Sequence, residues 1–479
     1  LTEKWIPNPD SHIPYYLQIK QYILDKIKSG EWHVGFKLPS QRKLAEDFGV
    51  NRSTVINAYD EAAADGYIDS YQGRGTIVVD DSPESEETVH PPDWHAYAKS
   101  GKHHPNTAVV QSINREEFNT EMIRLGTGEL SPQLLPVQQM NALFQHISID
   151  DKQLGYEEPK GSLLLREQIS ERVLTLGISA SPGDILITSG ALQGLQLVAS
   201  GLLQKQSTVL VEKPSYLYSL QLLQSENIQM AGLPLYPENY ETEIEKARKK
   251  HNPALMYTIP SFHNPTGRCM TVSQREELLH ACRKYSLPII EDDVYHDLWL
   301  DTPPPPALKS MDTHGLVLYM GSLSKSLSPG LRIGWVIGPE EVIDRLADIK
   351  MQTDYGSSSL SQKIVYHWLK SGRYEEYVEQ IREHLRKRRD FMLKLLHEYF
   401  QDIAAWNTPK GSFYIWIQFH SEVSVNRLYY KALQKNILLN PGTIYDKTAA
   451  QSLRLSFAYA SYEEMEYGIK TLRELISIK

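Results

Sequence analysis

The chain has 479 residues, 41% of them hydrophobic and 23% charged, with a formal charge of −9 at pH 7. That length points to two or three domains with ample core, and the negative balance excludes a chain that clings to nucleic acid over its whole surface. No uncharged apolar run reaches the ~18 residues of a membrane span, and no basic-then-apolar leader opens the sequence. Cys269 and Cys282 stand in no metal-ligand or CxxC spacing, so a cytoplasmic protein with no membrane association, no disulfide and no metal site is expected.

Residues 1–80 read as one compact domain. Ile13, Tyr16, Ile19, Ile23 and Ile27 recur at roughly helical spacing and predict one apolar stripe. A loop with Gly30, Gly35 and Pro39 follows, and Ser40 is placed to cap a short helix carrying Leu44, Ala45 and Phe48. Gly49 permits a tight turn, and Asn51 can cap a second helix running to about Asp65. Helix, short turn, helix is a helix-turn-helix arrangement. After Gly66, YIDS and TIVV predict two strands joined through Gln72-Gly73-Arg74-Gly75, a hairpin or wing. Lys37, Arg42, Lys43 and Arg52 outnumber Glu46 and Asp47 here, a weak basic excess that a solvated face also explains.

From 81 to 120 no apolar period persists, and the acidic, proline-containing DSPESEETVHPPDW reads as a linker. Beyond it, apolar runs at 185–188, 208–211, 255–259, 287–290 and 316–320 alternate with helical stretches. They predict an α/β domain over 121–479 with a buried, mostly parallel sheet in a large lobe of about 150–350. SFYIWI and LRLSF, mixed with helices, predict a smaller α+β lobe over about 351–479.

GSLSKSLSPGLRIG, from Gly321, sets Lys325 among Ser322, Ser324 and Arg332. A primary amine forms an imine with an aldehyde, while hydroxyls and a guanidinium hold a phosphate. Pyridoxal 5′-phosphate (PLP) combines those two groups. IIEDDVYHD supplies a strand-end acid, SFHNPTG a turn that aims Asn264, and TSGALQG a helix start whose N–H groups at Gly190 and Ala191 suit an anion.

Together these motifs resemble the fold-type I PLP enzymes, the aspartate aminotransferase superfamily, from about Glu121 to the C-terminus. The resemblance implies that Lys325 holds PLP as an imine and that Asp292, rather than Asp293, pairs with the ring nitrogen. Asn264 and Tyr295 would bond the 3′-oxygen, and Ser322, Ser324, Arg332, Gly190 and Ala191 the phosphate. Tyr216 would stack on the ring, with Tyr218 as fallback, and Tyr156 would reach the phosphate across a homodimer interface. Gly126 and Gly128, in LGTGELSP, match a substrate-side loop. Arg454 would grip a ligand carboxylate bidentately. Ala191 and Leu192 depart from related proteins, which often carry a hydroxyl and a glutamine there.

LPSQRKLAEDFGVNRSTVINAYDEAAADGYI closely resembles the winged helix-turn-helix of the GntR regulators. The resemblance implies that Arg42, Asn51, Arg52, Ser53 and Thr54 contact double-stranded DNA, with Gln72 and Gly73 at the wing tip. Both parts in this order resemble the MocR/GabR subfamily. That implies a dimeric, PLP-dependent transcription regulator reading an operator of two half-sites and sensing an amino acid or amine through external aldimine formation. Two other readings remain open: an aminotransferase carrying a DNA-binding module, with slow or partial transamination, and a sensor of PLP itself.

Overall fold

The computed structural model describes residues 5–71, 75–79, 92–101, 103–147 and 154–477, and the chain divides into two compact units, Leu1–Ser100 and Gly101–Lys479. The first unit holds α1 (Tyr15–Lys28), α2 (Gln41–Phe48), α3 (Arg52–Ala64), then an antiparallel hairpin of β1 (Ile68–Tyr71) and β2 (Gly75–Val78). Ile19 and Ile23 on α1 and Val55, Ala58 and Ala62 on α3 form its buried core. The apolar stripe begins at Tyr16 rather than Ile13. Pro14 sits just before α1, steering the preceding residue out of helical geometry, and Ile13 is left 53% exposed.

Ser40 accepts the Lys43 N–H at 3.3 Å, and Gly49 turns the chain at φ +66°, where a side chain would be strained. Tyr59 donates its hydroxyl to the Pro39 carbonyl at 2.7 Å, fixing α3 to the loop before α2. Asn51 occupies the position before α3 in extended conformation, yet its side chain accepts no capping bond.

The stretch read as a linker contains two helices, α4 (Trp94–Ser100) and α5 (Ala108–Glu116). The latter is part of the second unit: Ile113 is buried in the core and Tyr429 donates its hydroxyl to Ser112 at 2.8 Å. Nine residues carry too short a stripe to stand out among the polar QSINRE that follow Val110.

The second unit then runs through β3 (Ile123–Arg124), β4 (Ile185–Thr188), β5 (Thr208–Lys213), β6 (Gln229–Pro234), β7 (Leu255–Thr258), β8 (Ile289–Asp292), β9 (Val317–Ser322) and β10 (Gly334–Ile337). Its main sheet is ordered β4-β10-β9-β8-β7-β5-β6 and parallel except for β10, antiparallel to both neighbours. β4, β7, β8 and β9 bury every residue, which is why each carries an apolar run, although β8 ends on the buried acids Glu291 and Asp292. The sequence does not predict β6, interrupted by Gly232 and Pro234, or the four-residue β10.

A second sheet, ordered β11-β12-β15-β14, is built from β11 (Ala404–Trp406), β12 (Tyr414–Phe419), β14 (Asn440–Pro441) and β15 (Ser452–Ser456), with β13 (Ile437–Leu438) set apart from it. β13 pairs with β3, so residues before 150 join the lobe read as 351–479. The helix Arg373–Phe400 links the lobes: Arg382 donates to the Asp297 carbonyl at 2.8 Å and Arg388 to the Phe457 carbonyl at 2.8 Å. Among the described residues no helix is long and apolar enough to cross a membrane.

Candidate functional site

β4, β8 and β9 point the same way, so their C-terminal ends share one edge of the sheet, the usual place for a ligand in an open α/β fold. A cavity of about 350 Å³ lies there, within the second unit. Lys325, three residues past β9, sends its amine into the cavity, where it donates to the Gly128 carbonyl at 2.7 Å. Asp292, the last residue of β8, is 7% exposed and accepts the Tyr257 hydroxyl at 2.6 Å. Burial pushes its carboxyl up to about 6, against the Tyr257 hydrogen bond that pulls it down. Asp293 lies outside the cavity lining: it accepts from His296 at 2.7 Å and from the Tyr319 hydroxyl at 3.2 Å.

Gly190 precedes the helix Ala191–Gly201 at φ +86°, and a Cβ there would come within 2.7 Å of the Arg332 guanidinium. Glycine is thus what lets Arg332 lie across the helix start, where it donates to the Ser189 carbonyl at 2.8 Å. Ala191 and Leu192 line the same wall without a side-chain donor. The two serines divide their work. Ser322, which also lines the cavity, donates to the Ile333 carbonyl at 3.1 Å and accepts from Ser324 N, so its hydroxyl braces the loop. The Ser324 hydroxyl is buried in the cavity wall with no partner.

Arg454, on β15, donates to the Asn264 side-chain oxygen at 2.8 Å and to the Gly126 carbonyl at 2.7 Å. Its guanidinium lies 4.2 Å from the centre of the Tyr414 ring and 4.9 Å from that of Tyr445, and its Nε has no partner. Asn264 therefore has its oxygen committed and its amide N–H₂ left to donate. Tyr295 shares a 2.8 Å hydrogen bond with the Tyr414 hydroxyl. Tyr216 lines the cavity and Tyr218 does not. Tyr156 is also outside the lining: 82% exposed, it packs its ring on Tyr355 at 4.7 Å.

Several lining residues escape the sequence reading. Tyr257, Tyr414, Tyr445 and Asn440 come from separate strands and loops with no motif around them. Val110, Asn114 and Glu117 come from α5 and its end, inside the stretch read as a linker.

On the first unit, Arg42 is exposed and 3.8 Å from Glu46. Asn51, Arg52 and Ser53 are exposed at the start of α3, with Thr54 half-buried behind them. Gln72 and Gly73 lie outside the described residues.

The cavity suits PLP. The unpartnered Ser324 hydroxyl, Arg332 and the helix start form an anion cradle, Asp292 offers a carboxylate to a ring nitrogen, Lys325 offers the amine, and Tyr216 offers a ring face.

Residues 120–472 match the family "Aminotransferase class I and II", and residues 15–78 match "Bacterial regulatory proteins, gntR family". The chain is 49% identical over 473 residues to the HTH-type transcriptional regulator YisV of Bacillus subtilis (strain 168), covering 98% of each. It is 36% identical over 437 residues to the HTH-type transcriptional regulator NorG of Staphylococcus aureus (strain N315), covering 90% of this chain and 98% of that one. Among solved structures, a kynurenine aminotransferase of Pyrococcus horikoshii in complex with PMP superposes with a TM-score of 0.73 at 29% identity, over 78% of this chain and 96% of that one. LysN, an α-aminoadipate aminotransferase of Thermus thermophilus complexed with N-(5′-phosphopyridoxyl)-L-leucine, gives 0.72 at 26%, over 80% and 98%.

Proposed function

Because this chain belongs to the HTH-type transcriptional regulators in which a gntR-family domain precedes an aminotransferase class I and II domain, we propose that the second unit binds PLP and senses an amino acid or amine on behalf of the DNA-reading first unit. The observation that carries the reading is the meeting of Lys325, Asp292 and Arg454 around one cavity in a chain that also presents a helix-turn-helix. When bound, the cofactor supplies an aldehyde carbon that accepts either Lys325 or an incoming amine.

The chain's own residues do the rest. Asp292 would set its carboxylate against the ring nitrogen, Ser324 and Arg332 would anchor the phosphate, and Tyr216 would offer a ring face. Arg454 orients an amino-acid carboxylate, held rigid by Asn264 and the Gly126 carbonyl. Lys325 would leave its bond to Gly128 to hold the aldehyde and, once free again, would be placed to move a proton. Signalling requires the ligand to bind the DNA-competent and DNA-incompetent arrangements unequally. Tyr156, exposed and outside its own chain's cavity, supports a homodimer in which it serves the partner's phosphate site. Arg42, Arg52 and Ser53 would face DNA, two copies matching two half-sites.

The test is to titrate PLP-loaded full-length protein with amino acids and amines, following visible absorbance and binding to the DNA upstream of its own and neighbouring genes. The expected result is a spectral change and a change in DNA affinity with the same midpoint. Absence of cofactor absorbance in PLP-supplemented protein overturns the reading. A second reading, an aminotransferase that also binds DNA, draws on Lys325 being placed to move a proton; sustained multiple turnover with an amino donor and a 2-oxo acid would establish it.

A further inference from the structure

Among the described residues, six charged side chains line the cavity, Lys325, Arg332 and Arg454 against Asp292, Glu117 and Glu129. PLP binding, on the reading above, uses three of them: Arg332 for the phosphate, Asp292 for the ring nitrogen and Lys325 for the aldehyde. Arg454 is then left with two carboxyls and no second cation. An amino-acid ligand brings a carboxylate that satisfies Arg454. What remains of the lining charge is Glu117 and Glu129, two carboxyls for which the cavity lining holds no further cation.

Among the described residues, neither carboxyl is paired with a protein cation within 4 Å. Glu117, just past α5, accepts one neutral hydrogen bond, from the Thr127 hydroxyl at 3.2 Å; among the described residues Glu129 accepts none. Burial raises the Glu117 carboxyl above its usual range; the Thr127 bond opposes this, Glu129 reinforces it, and Arg454 and Arg124 oppose it at longer reach. A half-buried carboxyl with so little compensation is a group that a ligand cation stabilises and a ligand anion does not. The loop between them makes this placement rigid: Thr127 bonds Glu117, Gly126 and Gly128 receive Arg454 and Lys325 through their carbonyls, and Glu129 follows directly.

From this charge inventory we infer that the effector carries a second positive charge, as a basic amino acid or a diamine does, and that Glu117 and Glu129 are the residues that select it. The inference rests on the amine-sensing reading above.

The experiment compares isosteres on PLP-loaded full-length protein, reading the cofactor's visible spectrum: L-lysine against L-norleucine, L-ornithine against L-norvaline, and L-glutamate. At least one basic member should bind about tenfold or more tighter than its neutral isostere, with L-glutamate weakest. Glu117→Gln and Glu129→Gln should each shrink that ratio, and the double variant should bring it near one. Isosteres that bind equally well overturn the selection while leaving amine sensing intact, as does a preference that survives in the double variant. A spectrum that no amine perturbs removes amine sensing itself, and the selection with it.

Discussion

Arg52 opens α3 exposed to solvent, whereas Asp292 closes β8 at 7% exposure. The residues proposed to face DNA on the first unit fall within about thirty positions of one another in sequence, from Arg42 on α2 through the start of α3 to the wing. The second unit assembles its cavity from groups far apart in sequence, as where Arg454 meets the Gly126 carbonyl across 328 residues. Substitutions should therefore act additively and gently on the DNA face and cooperatively in the cavity, where neighbours share partners.

Lys325→Ala breaks the comparison hardest. On the proposed reading Lys325 supplies the covalent hold on the cofactor, so the variant is expected to lose the absorbance that wild-type protein retains after gel filtration. Next in size, Arg454→Met should weaken amino acids by about a hundredfold while changing simple amines far less, because it removes a carboxylate partner and leaves the Asn264 oxygen unpaired. Spectral titration of an amino acid beside its decarboxylated amine checks the difference.

The pH dependence sharpens the picture of Asp292. Its carboxyl is raised to about 6, so the anion exists above that pH and is lost as pH falls through it. PLP affinity measured by equilibrium dialysis should fall about tenfold per pH unit below ~6 through this group, and Asp292→Asn should remove that component. Arg52→Ala should weaken operator binding about tenfold and flatten its salt dependence if Arg52 meets phosphate. The smallest effect separates the two serines: Ser324→Ala should loosen PLP by about 1 kcal/mol, while Ser322→Ala should cost similar folding stability with PLP affinity little changed.

What the sequence makes legible follows the same division. Lys325, Asp292, Asn264 and Gly190 each stand at the end of a buried strand or a tight turn, where local spacing records the geometry. Tyr257 and Tyr414 carry no such mark, because their roles exist only once β7 lies beside β8 and β12 reaches Tyr295. The roles of Ser322 and Ser324 could not be told apart until the Ile333 carbonyl claimed one of them. α5 was hidden by its brevity: a helix this short gains its stability from the core it joins rather than from its own pattern.

That helix begins eight residues after Ser100, where the first unit ends. Eight residues span at most roughly 28 Å even when fully stretched. The cavity wall that α5 provides therefore follows α4 closely in the chain, whereas the hairpin that closes the helix-turn-helix unit ends at Val78, 30 residues before α5 begins.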